Sequence, residues 1–222
     1  MERRSAISWP RFFGLRSARS YNPVVAEPAR ILYTEAQIQS GVRDLGARIT
    51  KDYAGRSPLM VSVLKGAVVF LADLIRAVDL PARVDFMSIS SYGGGAEAPG
   101  PSPASGVVRI LKDLEQDIGG EDVLVVEDII DTGLTLSYLL TSLRARGPAS
   151  IEVCTLLDRS VRRIPPLEIR YRAFECPDVF VVGYGLDYAE RYRDLPYIVA
   201  VDRQASLDED PSLLAGFHKR IA

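Results

Sequence analysis

The sequence predicts an α/β fold, a parallel β-sheet flanked by helices, and three observations carry that expectation. Short apolar runs recur at Leu59–Val63, Val123–Val126 and Ile151–Leu157, as strands buried on both faces of a parallel sheet require. Two of these runs lead into helical segments, one from Ala67 to Val78 and one marked by Leu136, Leu139, Leu140 and Leu143. Polar residues gather where a strand ends and a helix opens, which is where open α/β sheets bind ligands.

The richest such cluster follows Val126. It reads Glu127-Asp128-Ile129-Ile130-Asp131-Thr132-Gly133-Leu134-Thr135. Unpaired N–H groups at a helix start, together with the helix dipole, favour an anion there. Gly133 permits positive φ and close backbone approach, and Thr132 and Thr135 add hydroxyls beside the backbone. Three carboxylates around a phosphate-sized loop would repel a phosphate unless they face a sugar or a cation instead. The residues therefore point to a phosphorylated sugar with its phosphate in the loop, and its hydroxyls and Mg²⁺ near Glu127 and Asp128. The competing reading is an ordinary strand–turn–helix with solvated acids.

This stretch resembles the phosphoribosyl-pyrophosphate (PRPP) signature of type I phosphoribosyltransferases. Its E-D-I-I-D-T-G form resembles the hypoxanthine-guanine branch in particular. The resemblance implies the type I fold, with a small hood subdomain made by the N- and C-terminal segments. It also implies purine salvage: transfer of phosphoribosyl from PRPP to hypoxanthine or guanine, with Mg²⁺ and release of pyrophosphate. A homodimer or homotetramer in the cytoplasm belongs to the same expectation. Two alternatives stand beside it, an enzyme of the same fold for xanthine or another base, and a non-catalytic nucleotide sensor that binds RNA.

The 222 residues, 47% hydrophobic and 25% charged, suit one domain with a sizeable core. A net charge of −2 offers no electrostatic case for nucleic acid or a membrane surface. Two cysteines, Cys154 and Cys176, argue against a disulfide framework. Residues 1–29 form a basic, serine-containing extension, read as disordered or lightly docked, with an organelle-targeting segment as the alternative. Residues 30–205 make the expected catalytic domain, and residues 206–222 a tail without identifiable chemistry.

Within the domain, Thr34, Glu35 and Gln37 precede Ile38, Val42, Leu45 and Ile49, the pattern of a capped amphipathic helix. Lys65 and Gly66 sit on the turn after the first buried strand, where a cation and an open backbone suit an anion. They resemble the family's pyrophosphate loop, in which the peptide before the lysine is often cis. Val84–Ser90 partly alternates like a strand, and Val107–Leu111 reads as another. Between them, Ser91 and Tyr92 open a long Gly/Pro/Ala/Ser stretch, Gly93 to Gly106, which resembles the family's mobile loop with an added insert.

The remaining site residues follow from the resemblance. Arg159 ends the strand after the central motif, where the family usually has a lysine that donates to the purine's exocyclic oxygen. Arginine donates through a wider planar fork, and the alternative is a surface charge clustered with Arg162 and Arg163. Phe180 matches the base-stacking aromatic and Val181 the backbone contact to the base edge; an aromatic there is otherwise core. Asp187 matches a carboxylate near Mg²⁺, which makes Glu127, Asp128 and Asp187 the expected metal residues, and Arg193 matches a pyrophosphate contact. Asp131 matches the general base near purine N7, with structural capping of the loop as its competing role. Leu134 stands where some relatives carry a lysine.

Overall fold

Strand β5 (Asp122–Ile130) holds the centre of the molecule because its apolar run serves two cores at once. Leu124 and Val126 pack with Met60, Cys154 and Leu156, whereas Val123 and Val125 pack with Leu59, Val61 and Val153. That split is the period-two alternation of a strand with an apolar layer on each face. The structure is a computed structural model that describes residues 29–91, 108–202 and 204–218.

β5 pairs in parallel with β2 (Leu59–Leu64) on one side and β6 (Ser150–Asp158) on the other. Strand β3 (Arg83–Ser91) lies parallel to β2, and β4 (Val108–Lys112) closes that edge antiparallel to β3. The other edge is β7 (Tyr171–Glu175), parallel to β6. The order is therefore β4-β3-β2-β5-β6-β7, the mainly parallel sheet expected. Only β7 lacks a sequence signal. Its Tyr171 is buried, but Arg172 and Glu175 are exposed, so no continuous apolar run announces an edge strand.

Helix α1 (Glu35–Asp52) opens with the expected cap. Gln37 N donates to Thr34 Oγ1 at 3.3 Å and Thr34 N donates to Gln37 Oε1 at 2.9 Å, a reciprocal capping box. Its Ile38, Val42, Leu45 and Ile49 are all buried, and α1 packs beside α2 (Ala67–Ala77) on one face of the sheet. Helix α3 (Leu134–Arg144) covers the opposite face through Leu136, Leu139, Leu140 and Leu143.

A second, antiparallel sheet forms the hood from β1 (Ala29–Tyr33), β8 (Phe180–Val182) and β9 (Ile198–Val201), in the order β1-β9-β8. Val181 and Ile198 face the main core, and Val182, Val199 and Val201 face a core of the hood's own. The chain's last helical pieces, α4 (Gln204–Glu209) and a 3₁₀ segment (Pro211–His218), complete that second core with Leu207 and Leu214. Cys154 and Cys176 are free and buried. No helix among the described residues is long and apolar enough to cross a membrane. Residues 1–28, Tyr92 and the Gly93–Gly106 stretch, with their targeting and lid expectations, lie outside the described residues.

Because Leu207 is fully buried in the hood, Leu207→Ala is expected to cost about 2–5 kcal/mol of stability. Urea unfolding monitored by circular dichroism measures it, and a loss below about 0.5 kcal/mol, typical of surface positions, would contradict the packing.

Candidate active site

β5 ends at Ile130, and Asp131, Thr132 and Gly133 then turn the chain into α3. Gly133 stands at the helix start with φ 79° and has no side chain to cap it; Leu134 N donates to Thr132 Oγ1 at a long 3.4 Å, and a shallow hollow lies beside this first turn. That hollow encloses about 210 Å³ and is lined by Glu127, Asp131, Thr132, Gly133 and Thr135. The glycine requirement is also steric. A Cβ on Gly133 would lie 2.6 Å from Leu167 Cδ1 and 2.8 Å from Arg163 Cδ.

Arg163 therefore braces the loop from below. Its guanidinium donates to Ile130 O at 3.4 Å and pairs with the buried Asp158, while Ile164 N donates to Thr132 O at 2.9 Å. By sequence alone Arg163 is only one charge of a basic cluster. The signal for its support role is spatial, since Asp158 ends β6 and holds Arg172 as well. Leu134 is exposed beside the loop, so no cation enters the hollow from that position.

Glu127 and Asp128, neighbours on a strand, serve different spaces. Glu127 borders the hollow, and Asp128 lines a larger cleft of about 430 Å³. Burial pushes the Glu127 carboxyl well above its usual range, with the charge of Asp128 adding to it. Burial likewise raises Asp128 to about 6, with Asp187 adding repulsion and Arg193 opposing it. The absence of a side chain on Gly66 makes room for Asp128: a Cβ there would stand 1.7 Å from Asp128 Oδ2.

Two cations stand at one end of the cleft, each against a carboxylate. Lys65 follows a cis Leu64–Lys65 peptide, and its Nζ lies 2.9 Å from Glu190 Oε2. Arg193 Nη2 lies 3.0 Å from Asp187 Oδ1 and 3.3 Å from Glu190 Oε1, and Nη1 donates to Gly185 O at 2.8 Å. Lys65 and Arg193, in that order of effect, hold the Glu190 carboxyl below its ordinary value. No sequence signal marks Glu190, because only the fold brings it to Lys65.

The other end is built around Arg159, which is only 5% exposed. Its Nη1 donates to Asp131 Oδ2 at 3.1 Å and its Nη2 to Val179 O at 2.6 Å, with Cys176 Sγ at 3.8 Å. Arg159 is thus not the exposed member of a basic patch, which was its competing reading. Arg159 Nε and Asp131 Oδ1 are both buried and have no hydrogen-bond partner among the described residues. Arg162 approaches Asp131 Oδ2 at 3.5 Å and pairs with Asp178. Half-buried Phe180 meets the Tyr188 ring edge-on at 6.2 Å, and Val181 lines the cleft beside it.

The cleft thus gathers Lys65, Gly66, Asp128, Asp131, Arg159, Phe180, Val181, Asp187 and Arg193. The adjoining hollow gathers Glu127, Thr132, Gly133 and Thr135, and Asp131 borders both. Ser91 closes β3, and Tyr92 lies outside the described residues. Among the described residues no three His, Cys, Asp or Glu side chains converge into a closed metal cage. Glu127, Asp128 and Asp187 do not, therefore, make a protein-only site together.

The phosphoribosyl transferase domain family matches residues 30–189. The hypoxanthine-guanine phosphoribosyltransferase of Mycobacterium avium is 50% identical over 178 residues, covering 78% of this chain and 85% of the relative. That of Bacillus subtilis is 49% identical over 169 residues, covering 76% and 91%. A crystal structure of a hypoxanthine phosphoribosyltransferase from Staphylococcus aureus superposes with a TM-score of 0.72 at 45% identity, covering 78% of this chain and 90% of that one. With the loop, the two-ended cleft and the hood in place, this chain belongs to the type I phosphoribosyltransferase family, in its hypoxanthine-guanine branch.

Proposed function

We propose that the chain transfers the 5-phosphoribosyl group of PRPP to hypoxanthine and guanine, releasing pyrophosphate. The observation that carries the residue roles is the unsatisfied buried pair at the base end, Arg159 Nε–H and Asp131 Oδ1. A buried polar group without a partner costs about 1–3 kcal/mol, and a purine offering an oxo group and a ring N–H would relieve both once the two side chains turn towards the cleft that they line. Phe180 would stack on that purine and the Val181 backbone would meet its edge.

The ring nitrogen bonds to the anomeric carbon as the carbon–oxygen bond to pyrophosphate breaks, and Asp131 takes the proton from near N7. A positioned carboxylate contributes about 10²–10⁴-fold to such a step. Lys65 and Arg193 would hold the departing anion, and the Gly133 loop would hold the 5-phosphate at the start of α3. Glu127 would orient the ribose hydroxyls.

Mg²⁺ fits the donor set. Burial and, to a smaller extent, the charge of Asp187 raise the Asp128 carboxyl, and a cation beside it would relieve both. Mg²⁺ commonly binds through one or two carboxylates, with substrate oxygens and water completing its shell, so a closed cage is not required. When bound it supplies neutralisation of the charge that develops on pyrophosphate. Homodimer or homotetramer formation is part of the same proposal on the family's account.

Asp131→Asn is expected to keep PRPP affinity within a few-fold and lower kcat by about 10²-fold or more. Lost PRPP affinity with turnover preserved at saturation would make Asp131 a structural cap instead.

Arg159→Ala should lower kcat/KM for hypoxanthine by about 10²-fold or more, and Arg159→Lys should recover most of it. Adenine should be a poor substrate of the native chain, because its 6-amino group meets a donor. An alanine variant with unchanged kcat/KM for hypoxanthine would leave the base without its reader.

Asp128 also predicts a pH dependence of ligand-free stability. Its folded pKa of about 6 lies above the ordinary carboxylate value, so the folded protein binds the proton more tightly than the unfolded chain. The resulting penalty is absent below the unfolded pKa, grows as pH rises, and is complete above about 6. Asp128→Asn should therefore raise Tm by about 2–8 °C at pH 7.5, with the gain fading towards pH 4. Thermal melts across that range without added metal measure it, and a gain independent of pH would exclude the charge as its cause.

A further inference from the structure

The two cations at one end of the cleft, Lys65 and Arg193, already hold an anion of the protein's own, Glu190, from a separate hollow beside it. The Glu190 carboxylate spans two cations from distant elements, with Lys65 Nζ at 2.9 Å from Oε2 and Arg193 Nη2 at 3.3 Å from Oε1. We infer that Glu190 is an internal stand-in for the diphosphate, holding Lys65 in the cleft until the incoming anion displaces it and thereby limiting how tightly that anion binds. The inference rests on the proposed reading of Lys65 and Arg193 as the diphosphate contacts.

The local backbone supports the assignment. Tyr188 and Arg191 exchange backbone hydrogen bonds at 3.1 and 3.0 Å, making a two-residue hairpin with Ala189 and Glu190 at its tip. Both tip residues have positive φ, 50° and 62°. Turns of that kind favour Asn and Gly, and a glutamate gains nothing from the conformation itself. What Glu190 gains is reach to Lys65, while its own N–H donates to Asp187 Oδ2 at 2.9 Å and steadies the turn.

The contacts are also arranged for release. The Lys65 and Glu190 side chains are 67% and 65% exposed, so the pair is solvated and exchangeable. Arg193 keeps Asp187 Oδ1 and Gly185 O when Glu190 leaves, and so stays aimed. Lys65 has no other ion-pair partner among the described residues, so it is the group that Glu190 holds. A negative charge beside the diphosphate site opposes binding twice, by occupying the lysine and by direct repulsion.

The test is calorimetric titration of inorganic pyrophosphate, with Mg²⁺ present, into the native chain, Glu190→Gln and Glu190→Asn. Both substitutions remove the charge; Gln keeps the shape, and Asn suits the turn, so one folded variant is enough to decide. Pyrophosphate should bind about 2- to 10-fold more tightly to the variants, and the gain should shrink at high salt. Unchanged or weaker binding in a folded variant would overturn the inference and make Glu190 a support for Lys65 in the bound state. Failure of the native chain to bind pyrophosphate would overturn the reading of Lys65 and Arg193 together with the inference, so the two failures are distinguishable.

Discussion

The pairing of buried Arg159 with the partly exposed Asp131 is the interaction on which the site depends. It joins the end of β6 to the loop after β5, and through Val179 O it ties both to the segment entering the hood. Removing an arginine from water is expensive, and attraction to a carboxylate offsets that cost only when the remaining groups are also bonded. Here the offset is incomplete, since Arg159 Nε and Asp131 Oδ1 have no partner among the described residues. A ligand that completes the pair is therefore favoured over one that merely fills the space. In the proposed reading, that difference is what would separate a purine with a 6-oxo group from other flat rings of similar area.

The rest of the cleft follows from how charge is distributed along one strand end. Carboxylates at consecutive strand positions point to opposite faces, so Glu127 and Asp128 serve two spaces without sharing one. Each is raised by burial, and each would be relieved by a partner the protein does not itself supply. Both cations at the far end, Lys65 and Arg193, are engaged with protein carboxylates, Glu190 and Asp187. Binding an anion there is an exchange of partners, so the net gain is smaller than the attraction between the anion and free cations.

Much of this was legible in the sequence because it is local. The Val123–Val126 run, the helix spacing after Thr135 and the Thr34–Gln37 cap each depend on residues a few positions apart, and each has its expected form in the structure. β7 was not legible, because an edge strand with Arg172 and Glu175 exposed needs only a partial apolar pattern. The same holds for Leu207 and Leu214, whose burial depends on a hood surface made by β8 and β9. The site shows the same division. Asp131 and Gly133 are marked by their motif, whereas the roles of Arg163 and Glu190 follow from contacts with Asp158 and Lys65, the second of them across most of the domain. Arginine at position 159 read equally well as a base contact or a surface charge, and only its burial separates the two.

The most direct test of the proposed base-reading pair is a crystal structure of the chain with inosine monophosphate and pyrophosphate. The expected result is an Arg159 guanidinium nitrogen about 2.7–3.2 Å from the purine 6-oxo oxygen, with the bond to Val179 O retained and Asp131 within reach of N7. A 6-oxo oxygen bonded to another group, with the Arg159–Asp131 pair unchanged and Nε still without a partner, would contradict it.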